Sequence, residues 1–538
     1  MKLSPIATFL LLVLSACYPP KTQEDTKPVN KAGAVARINL VTEPQTLDPR
    51  RSRDLQSVTL IRMFFEGLTR VNASEKADLA LAESVEISSD LKKYSFKIRE
   101  SFWNNGDPVT AHDFVYAWKK VLDPYFSADN AFQLYVIKGA KAAKAGAISL
   151  DDVGIHIVND HLFEVELEAP TPYFLELLAM PIFFPVNRLV DQKNPRWAES
   201  PQTFISNGPF LISAWQHQHL LVASKNPQYW DEEVVELDEV HFVMVPSDTE
   251  LKMFEKRELD WAGSPLSSLP VDALRALKKE VDVYTKSFLG TDFLRCNIEH
   301  PLLAEPHFRK ALALAIHRRE LAEHIYQGGQ MPAMGFVPLA MGLQESPYFA
   351  DGDDEGAKIL FDKALCNLGL KLENIPEITF IYPAGDRPYL LAQAIEQQWF
   401  NTFGIRIKLE AMERQVYLDR VSKRNYDIAF GGWTADFNDP INFLEVFKYS
   451  KASTNNTGWE DKEYVRFLDA SSQESDVERR KHFLSMSEKI LMDAMPIIPL
   501  CECNMLYLNN NRLKNVLITS MGTIDFKWAQ IEEQGVSK

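Results

Sequence analysis

No HExxH, GxSxG or Walker-type motif occurs in the 538 residues, and nothing assembles a nucleophile with a base. A zinc protease, a serine hydrolase and a nucleotide-cleaving enzyme therefore lack their chemistry. Cysteine is scarce, 5 in all, with no C-x-x-C spacing, so a structural zinc site is not expected. His217 and His219, two apart on a predicted strand, read as surface residues rather than metal ligands, and the acid pairs Asp353-Asp354 and Glu232-Glu233 read as solvated faces. Positive charge is also short: 58 Lys and Arg against 74 Asp and Glu give −16. That balance repels polyphosphate, so nucleic acid is not an expected partner, while a cationic or zwitterionic ligand is easily accommodated. Internal repeats and low-complexity tracts are missing as well. With 46% hydrophobic and 25% charged residues, neither wholesale disorder nor a polytopic membrane protein is indicated.

What is present begins at the N-terminus. MKLSPIATFLLLVLSAC carries Lys2, then an apolar run from Leu3 to Ala16 that is too short to span a bilayer. Leu14-Ser15-Ala16-Cys17 resembles the lipobox of bacterial lipoproteins, in which cleavage leaves an acylated cysteine as the new N-terminus. Residues 1–16 are expected to be a signal peptide and 17–34 a polar tether. An exported protein follows, periplasmic or at the cell surface, held to a bacterial membrane by a lipid on Cys17. Cys296, Cys366, Cys501 and Cys503 remain, and their three possible pairings cannot be separated by spacing. Length allows about three or four domain-sized units.

Along the chain, VARINLVTEPQTLDP predicts a strand broken at Pro44 and Pro49, and VTLIRMFFEGLTRV a helix stopped at Gly67. YSFKI alternates as a strand, NNGDP turns, and Thr110 caps a helix running through Val121, with Asp113 at its third position. PFLISAWQ, HLLVASKNP and VHFVMV predict a β-rich stretch after about Asn187. From about Gly290 the pattern changes. HFRKALALAIHRRELAEHIYQ predicts one long amphipathic helix, and EITFIYPA, IRIKLEAM and YDIAFGGW predict strands alternating with helices. Such alternation argues for an open sheet with helices packed on it. Ligands bind outside the carboxyl ends of strands in these sheets, and GWTADFNDP sets Asp436 there.

TEPQTLDP, the segment from Tyr94 to Pro124, SNGPFLISAW, NPQYWD, GWTADFNDP and STNNTGW follow one another in order. At these landmarks the chain resembles the family 5 extracellular solute-binding proteins, above all the periplasmic oligopeptide-binding receptors of peptide ABC importers. Val85 stands where the family's signature usually has a tryptophan. The resemblance implies an α/β fold of two lobes, the periplasmic-binding-protein fold of class II type, with a third domain and a hinge. It implies a discontinuous lobe I of 35–55, 188–288 and 505–538, an extra domain of 56–187 and lobe II of 289–504. It also implies a binding protein and not an enzyme, one that closes on peptide and delivers it to the permease.

Residue roles follow from the same resemblance. Asp436 matches the position that holds a peptide's terminal ammonium, a buried charge that needs a carboxylate. The competing role, capping a helix near Pro440, suits Asp439 better. Trp433 matches a pocket tryptophan, and backbone groups around Trp433 and Thr434 would pair with the ligand as an added strand. Glu43 would sit on the opposite lobe; Asn455 matches a pocket asparagine, and Tyr135 more loosely a pocket tyrosine. The two arginines and the histidine that receive peptide carboxylates in oligopeptide binders fall on Phe430, Val421 and Pro388, so those anchors are missing. Arg387, Arg414 and Arg295 lie near and could supply a cation instead. The family's cysteine pair falls on Gly290 and Thr434. Expected partners are a peptide, the transmembrane subunits of a permease, and the membrane through Cys17; the chain is expected to be a monomer without metal or cofactor. Alternatives are a receptor for dipeptide, muropeptide, glutathione or haem, or a surface lipoprotein or adhesin with a vestigial site.

Overall fold

The structure is a computed structural model that describes residues 33–270, 273, 274, 277 and 282–532. The signal peptide and Cys17, with nearly all of the tether, lie outside the described residues. In chain order the strands used below are β1 (Val35–Asn39), β2 (Ala82–Ile87), β3 (Lys93–Ile98), β4 (Ile155–Asn159), β5 (Leu162–Glu166), β6 (Phe210–Gln216) and β7 (Leu220–Lys225). They continue with β8 (Glu239–Val243), β9 (Trp261–Gly263), β10 (Tyr284–Cys296), β11 (Ile378–Pro383), β12 (Ile407–Met412), β13 (Ile428–Thr434) and β14 (Ile497–Asn509).

VARIN buries Ala36 and Ile38 and exposes Arg37 between them, the alternation of a strand with one face on a core. It pairs in parallel with β8, Val35 opposite Glu239, and the sheet runs β1-β8-β7-β6. A second four-stranded sheet, β2-β3-β5-β4, is wholly antiparallel. YSFKI in β3 buries Tyr94, Phe96 and Ile98. Helix α1 (Leu55–Phe64) starts at Asp54, which accepts the N–H of Ser57 at 2.8 Å. Helix α2 (Ala111–Leu122) starts as its sequence predicts, the Asp113 carboxylate accepting the backbone N–H of Thr110 at 3.0 Å. It covers the second sheet by setting Phe114 and Trp118 against Phe163 of β5, ring centroids 5.9 and 5.6 Å apart.

The α/β alternation after residue 290 folds into a six-stranded sheet of order β9-β14-β10-β13-β11-β12. β11 lies parallel to both β12 and β13, and the remaining neighbours are antiparallel. Two large cores result. One draws on residues 36–266 and 505–529, the other on 293–501, and β10 and β14, 13 residues each, run from one to the other. Their register breaks on the way: Ser287 pairs with Asn504 and Thr291 with Glu502, leaving Phe288, Leu289 and Gly290 opposite Cys503 alone.

One predicted element divides. The long amphipathic helix of residues 307–327 is instead α3 (Pro306–Leu314), a break, α4 (Arg318–Leu321) and a wider turn over Ala322–Tyr326. Asp351 causes the restart, its two carboxylate oxygens accepting the N–H groups of Arg318 at 2.8 Å and Arg319 at 3.2 Å. A cap supplied from over 30 residues away leaves no local pattern. No helix among the described residues is long and apolar enough to cross a membrane.

Candidate functional site

YDIAFGG forms β13, which lies fully against β10 but meets β11 only at Ile428 and Ala429. Beyond Ala429 its second edge is open. The Ala435 N–H donates to the Leu289 carbonyl at 2.8 Å, which sets the alternation of the antiparallel pair. Trp433, opposite Thr291, therefore spends its peptide groups on β10, whereas Gly432 and Thr434 turn theirs to the open side. Around Trp433 and Thr434, the backbone groups left open are therefore those of Gly432 and Thr434. One residue back, the Phe430 carbonyl is already taken by the Arg295 guanidinium at 3.1 Å and by the Tyr417 hydroxyl. Gly431 makes this possible: a Cβ there would stand 1.9 Å from Arg295 Nη1.

Asp436 follows this edge directly. Burial raises its carboxyl above the ordinary aspartate value, and the Asn442 amide beside it pulls the other way. Asn442 Oδ1 accepts the Trp433 indole N–H at 3.0 Å and the Asp436 backbone N–H at 3.3 Å. Pro440 is the N-cap of the short helix Ile441–Leu444, and Asp439 before it accepts the Ile441 N–H at 3.0 Å and receives Arg480 through two bonds of 2.8 Å. Asp436 is left without an ion pair among the described residues. It lines a cavity of about 350 Å³ whose other walls include Val58 of α1, Asn130, Glu176 and Thr523. Beside it Phe437 stacks on Tyr173, centroids 4.6 Å apart and planes 9° from parallel, and so joins the two cores.

The other expected residues divide. Glu43 accepts the Trp215 indole N–H at 2.7 Å, His217 at 2.9 Å and the Gln218 N–H at 2.6 Å. Those bonds tie it to the turn between β6 and β7 and account for His217. Asn455 is 1% exposed and holds its own loop, donating to the carbonyls of Tyr449 and Trp459 and accepting from Thr457. Neither side chain joins Asp436. Tyr135 lines a different groove, with Phe132, Tyr173, Glu445 and Arg480. Arg387 and Arg414 are exposed in the first turns of the helices Asp386–Phe403 and Arg414–Ser422. Arg295 is half-buried and meets no acid among the described residues. Pro388 is half-buried and Val421 buried.

Two members of this region carried no sequence signal. Asn442 is one; Asp292 is the other, on the opposite face of β10 from Arg295. Its carboxyl, pushed up to about 6 by burial, accepts the Tyr326 hydroxyl at 3.0 Å and lies 3.0 Å from where a Cβ on Gly432 would be. Cys296, Cys366, Cys501 and Cys503 are all free thiols. No cluster of three or more His, Cys, Asp or Glu suited to a metal occurs among the described residues.

The open strand edge and the unpaired carboxylate of Asp436 lie beside the Phe437–Tyr173 stack that joins the two cores. The chain belongs to the bacterial extracellular solute-binding proteins, family 5, whose middle portion matches residues 76–455. It is 40% identical over 534 residues to the oligopeptide-binding protein OppA of Bacillus subtilis, covering 97% of this chain and 98% of that one. To the dipeptide-binding protein DppE of the same organism it is 34% identical over 502 residues, covering 92% and 91%. Among solved structures it is similar to the unliganded open form of MppA, a periplasmic murein tripeptide-binding protein. There the TM-score is 0.83 at 27% identity, covering 93% of this chain and 98% of that one.

Proposed function

We propose that this chain is the receptor of an ABC importer for oligopeptides, a protein that traps peptide between its lobes and presents it to the permease. The unpaired Asp436 at the end of an open strand edge carries the reading. A peptide's ammonium satisfies the carboxylate, and its backbone pairs with Gly432 and Thr434 without regard to side chains. The similarity to OppA of Bacillus subtilis, named for oligopeptide binding, supports the same reading. We place the hinge at Phe288–Gly290 and Cys503, where β10 and β14 lose register between the two cores. Closure would shift the population toward the form that holds the ligand better. Lobe I would comprise 35–55, 188–288 and 505–538, the extra domain 56–187 and lobe II 289–504, with a lipid on Cys17 holding a monomer to the membrane.

Native mass spectrometry of the untagged protein purified from its host tests this. A co-purifying mass that fragments as a peptide is the expected result. Finding no peptide, together with no thermal shift in a mixed peptide library, would overturn it.

A further inference from the structure

The cavity beside Asp436 contains another charge without a partner. Arg62 lies on the face of α1 that also brings Leu55 and Val58 to the cavity, spaced i, i+3, i+7. It is 9% exposed and its Nε has no hydrogen-bond partner. No ion pair reaches its guanidinium among the described residues. The acids nearest to it are committed elsewhere: Arg70 binds Asp525 through two bonds of 2.9 Å and Glu66 at 3.1 Å. Desolvation draws Arg62 down to about 10, which leaves it charged at neutral pH with five N–H donors to satisfy. The cavity's other charges are mostly spent. Arg53 pairs with Asp129 at 2.5 Å, Glu75 with Lys286 at 2.5 Å, and Asp54 caps α1. Glu176 is half-buried and has no ion pair, and burial raises its carboxyl so that it accepts a proton more readily.

Asp436 and Arg62 line the same cavity, so a peptide whose amino group meets Asp436 has this space open to its first side chain. We propose that Arg62 selects a carboxylate on that side chain, so that peptides beginning with glutamate are preferred. The inference rests on Asp436 holding the amino terminus. A carboxylate meets the guanidinium with charge-assisted, paired hydrogen bonds. A neutral first residue leaves it orphaned.

Isothermal titration of the full chain with tetrapeptides of alanine whose first residue is glutamate, glutamine or lysine tests the proposal. Glutamate is expected to exceed glutamine by about tenfold or more. In Arg62→Gln that ratio falls to about one while the glutamine peptide changes by less than about threefold, and Arg62→Lys keeps part of the preference. Should Arg62→Gln not fold, the wild-type ratio and Arg62→Lys still decide. Equal affinities, or a preference for lysine that Glu176→Gln removes, would overturn the proposal while leaving peptide binding intact. Saturation by acetate alone, with no glutamate preference, would overturn it in favour of a free anion. If none of the peptides binds, the peptide reading fails and this inference fails with it.

Discussion

The indole N–H of Trp433 and the backbone N–H of Asp436 converge on one acceptor, Asn442 Oδ1, at 3.0 and 3.3 Å. Asn442 is 8% exposed, so this single amide ties the Trp433 ring to the Asp436 backbone. Asn442→Leu strips both donors of their partner, at about 1–3 kcal/mol for each buried group left unpaired. Calorimetry with a free-amine tetrapeptide is expected to show affinity down by about tenfold or more. In a cycle with Asp436→Asn the two losses are expected not to add, because both act on the same carboxylate.

Asp436→Asn itself separates the ammonium from everything else the site does. Breaking a buried charge pair costs roughly 2–5 kcal/mol, so free-amine peptides are expected to bind far more than tenfold worse. N-acetylated peptides should lose little. The pH dependence follows from the raised carboxyl, since the ammonium binds the ionised form. Affinity therefore falls with falling pH, beginning above the ordinary aspartate value of 3.8. Titrations from neutral to acid pH should show this slope in the wild type and its loss in the asparagine variant.

Much of this region was legible in the sequence because its signals are local. The strand YDIAFGG, its place in an α/β alternation, and the acid just past its end all lie within a dozen residues. Asp439 bonds the first N–H of the next helix, although Pro440 holds the cap position. What escaped depends on partners distant in sequence. Asp351 restarts a helix 33 positions upstream, and Trp215 with His217 claims Glu43 from 172 and 174 positions away. Glu43 and Asn455 are expected in the pocket from their match to the family's landmarks, TEPQTLDP and STNNTGW. In the structure their side chains also hold those loops, through bonds that no local pattern announces. That Gly432 and Thr434, and not Trp433, turn their peptide groups to the open edge has a subtler reason: only the observed register decides which peptide groups of a strand face outward.

Arg295 offers a cation where Phe430 and Val421 do not. It lies across Gly431 with no acid among the described residues, whereas Arg387 and Arg414 stand exposed on helix ends. Arg295→Met is expected to weaken peptides with a free carboxyl terminus by about tenfold and to leave their amidated counterparts unchanged. Gly431→Ala should copy that pattern, because its Cβ would stand 1.9 Å from Arg295 Nη1 and drive the guanidinium off the strand. Equal losses for free and amidated peptides would confine Arg295 to supporting β13.

Glu488 provides a test of the interior, away from ligand. Its Oε1 accepts the N–H groups of Phe336 and Val337 at 2.8 Å each, and its Oε2 the Tyr348 hydroxyl at 3.0 Å. Burial raises the carboxyl from 4.5 to about 7, the hydrogen bonds holding it below what burial alone would give. Below 4.5 the folded and unfolded chains both keep the proton. Between there and about 7 the unfolded chain releases it and the folded chain does not, so stability drops as pH rises and levels off above the folded value. That penalty is on the order of 3 kcal/mol. Glutamine keeps an oxygen for both N–H groups and carries no charge. Glu488→Gln is thus expected to match the wild type in urea unfolding near pH 4.5 and to exceed it by on the order of 3 kcal/mol at about pH 8. Parallel pH profiles for the two proteins would mean that Glu488 ionises as freely when folded as when unfolded.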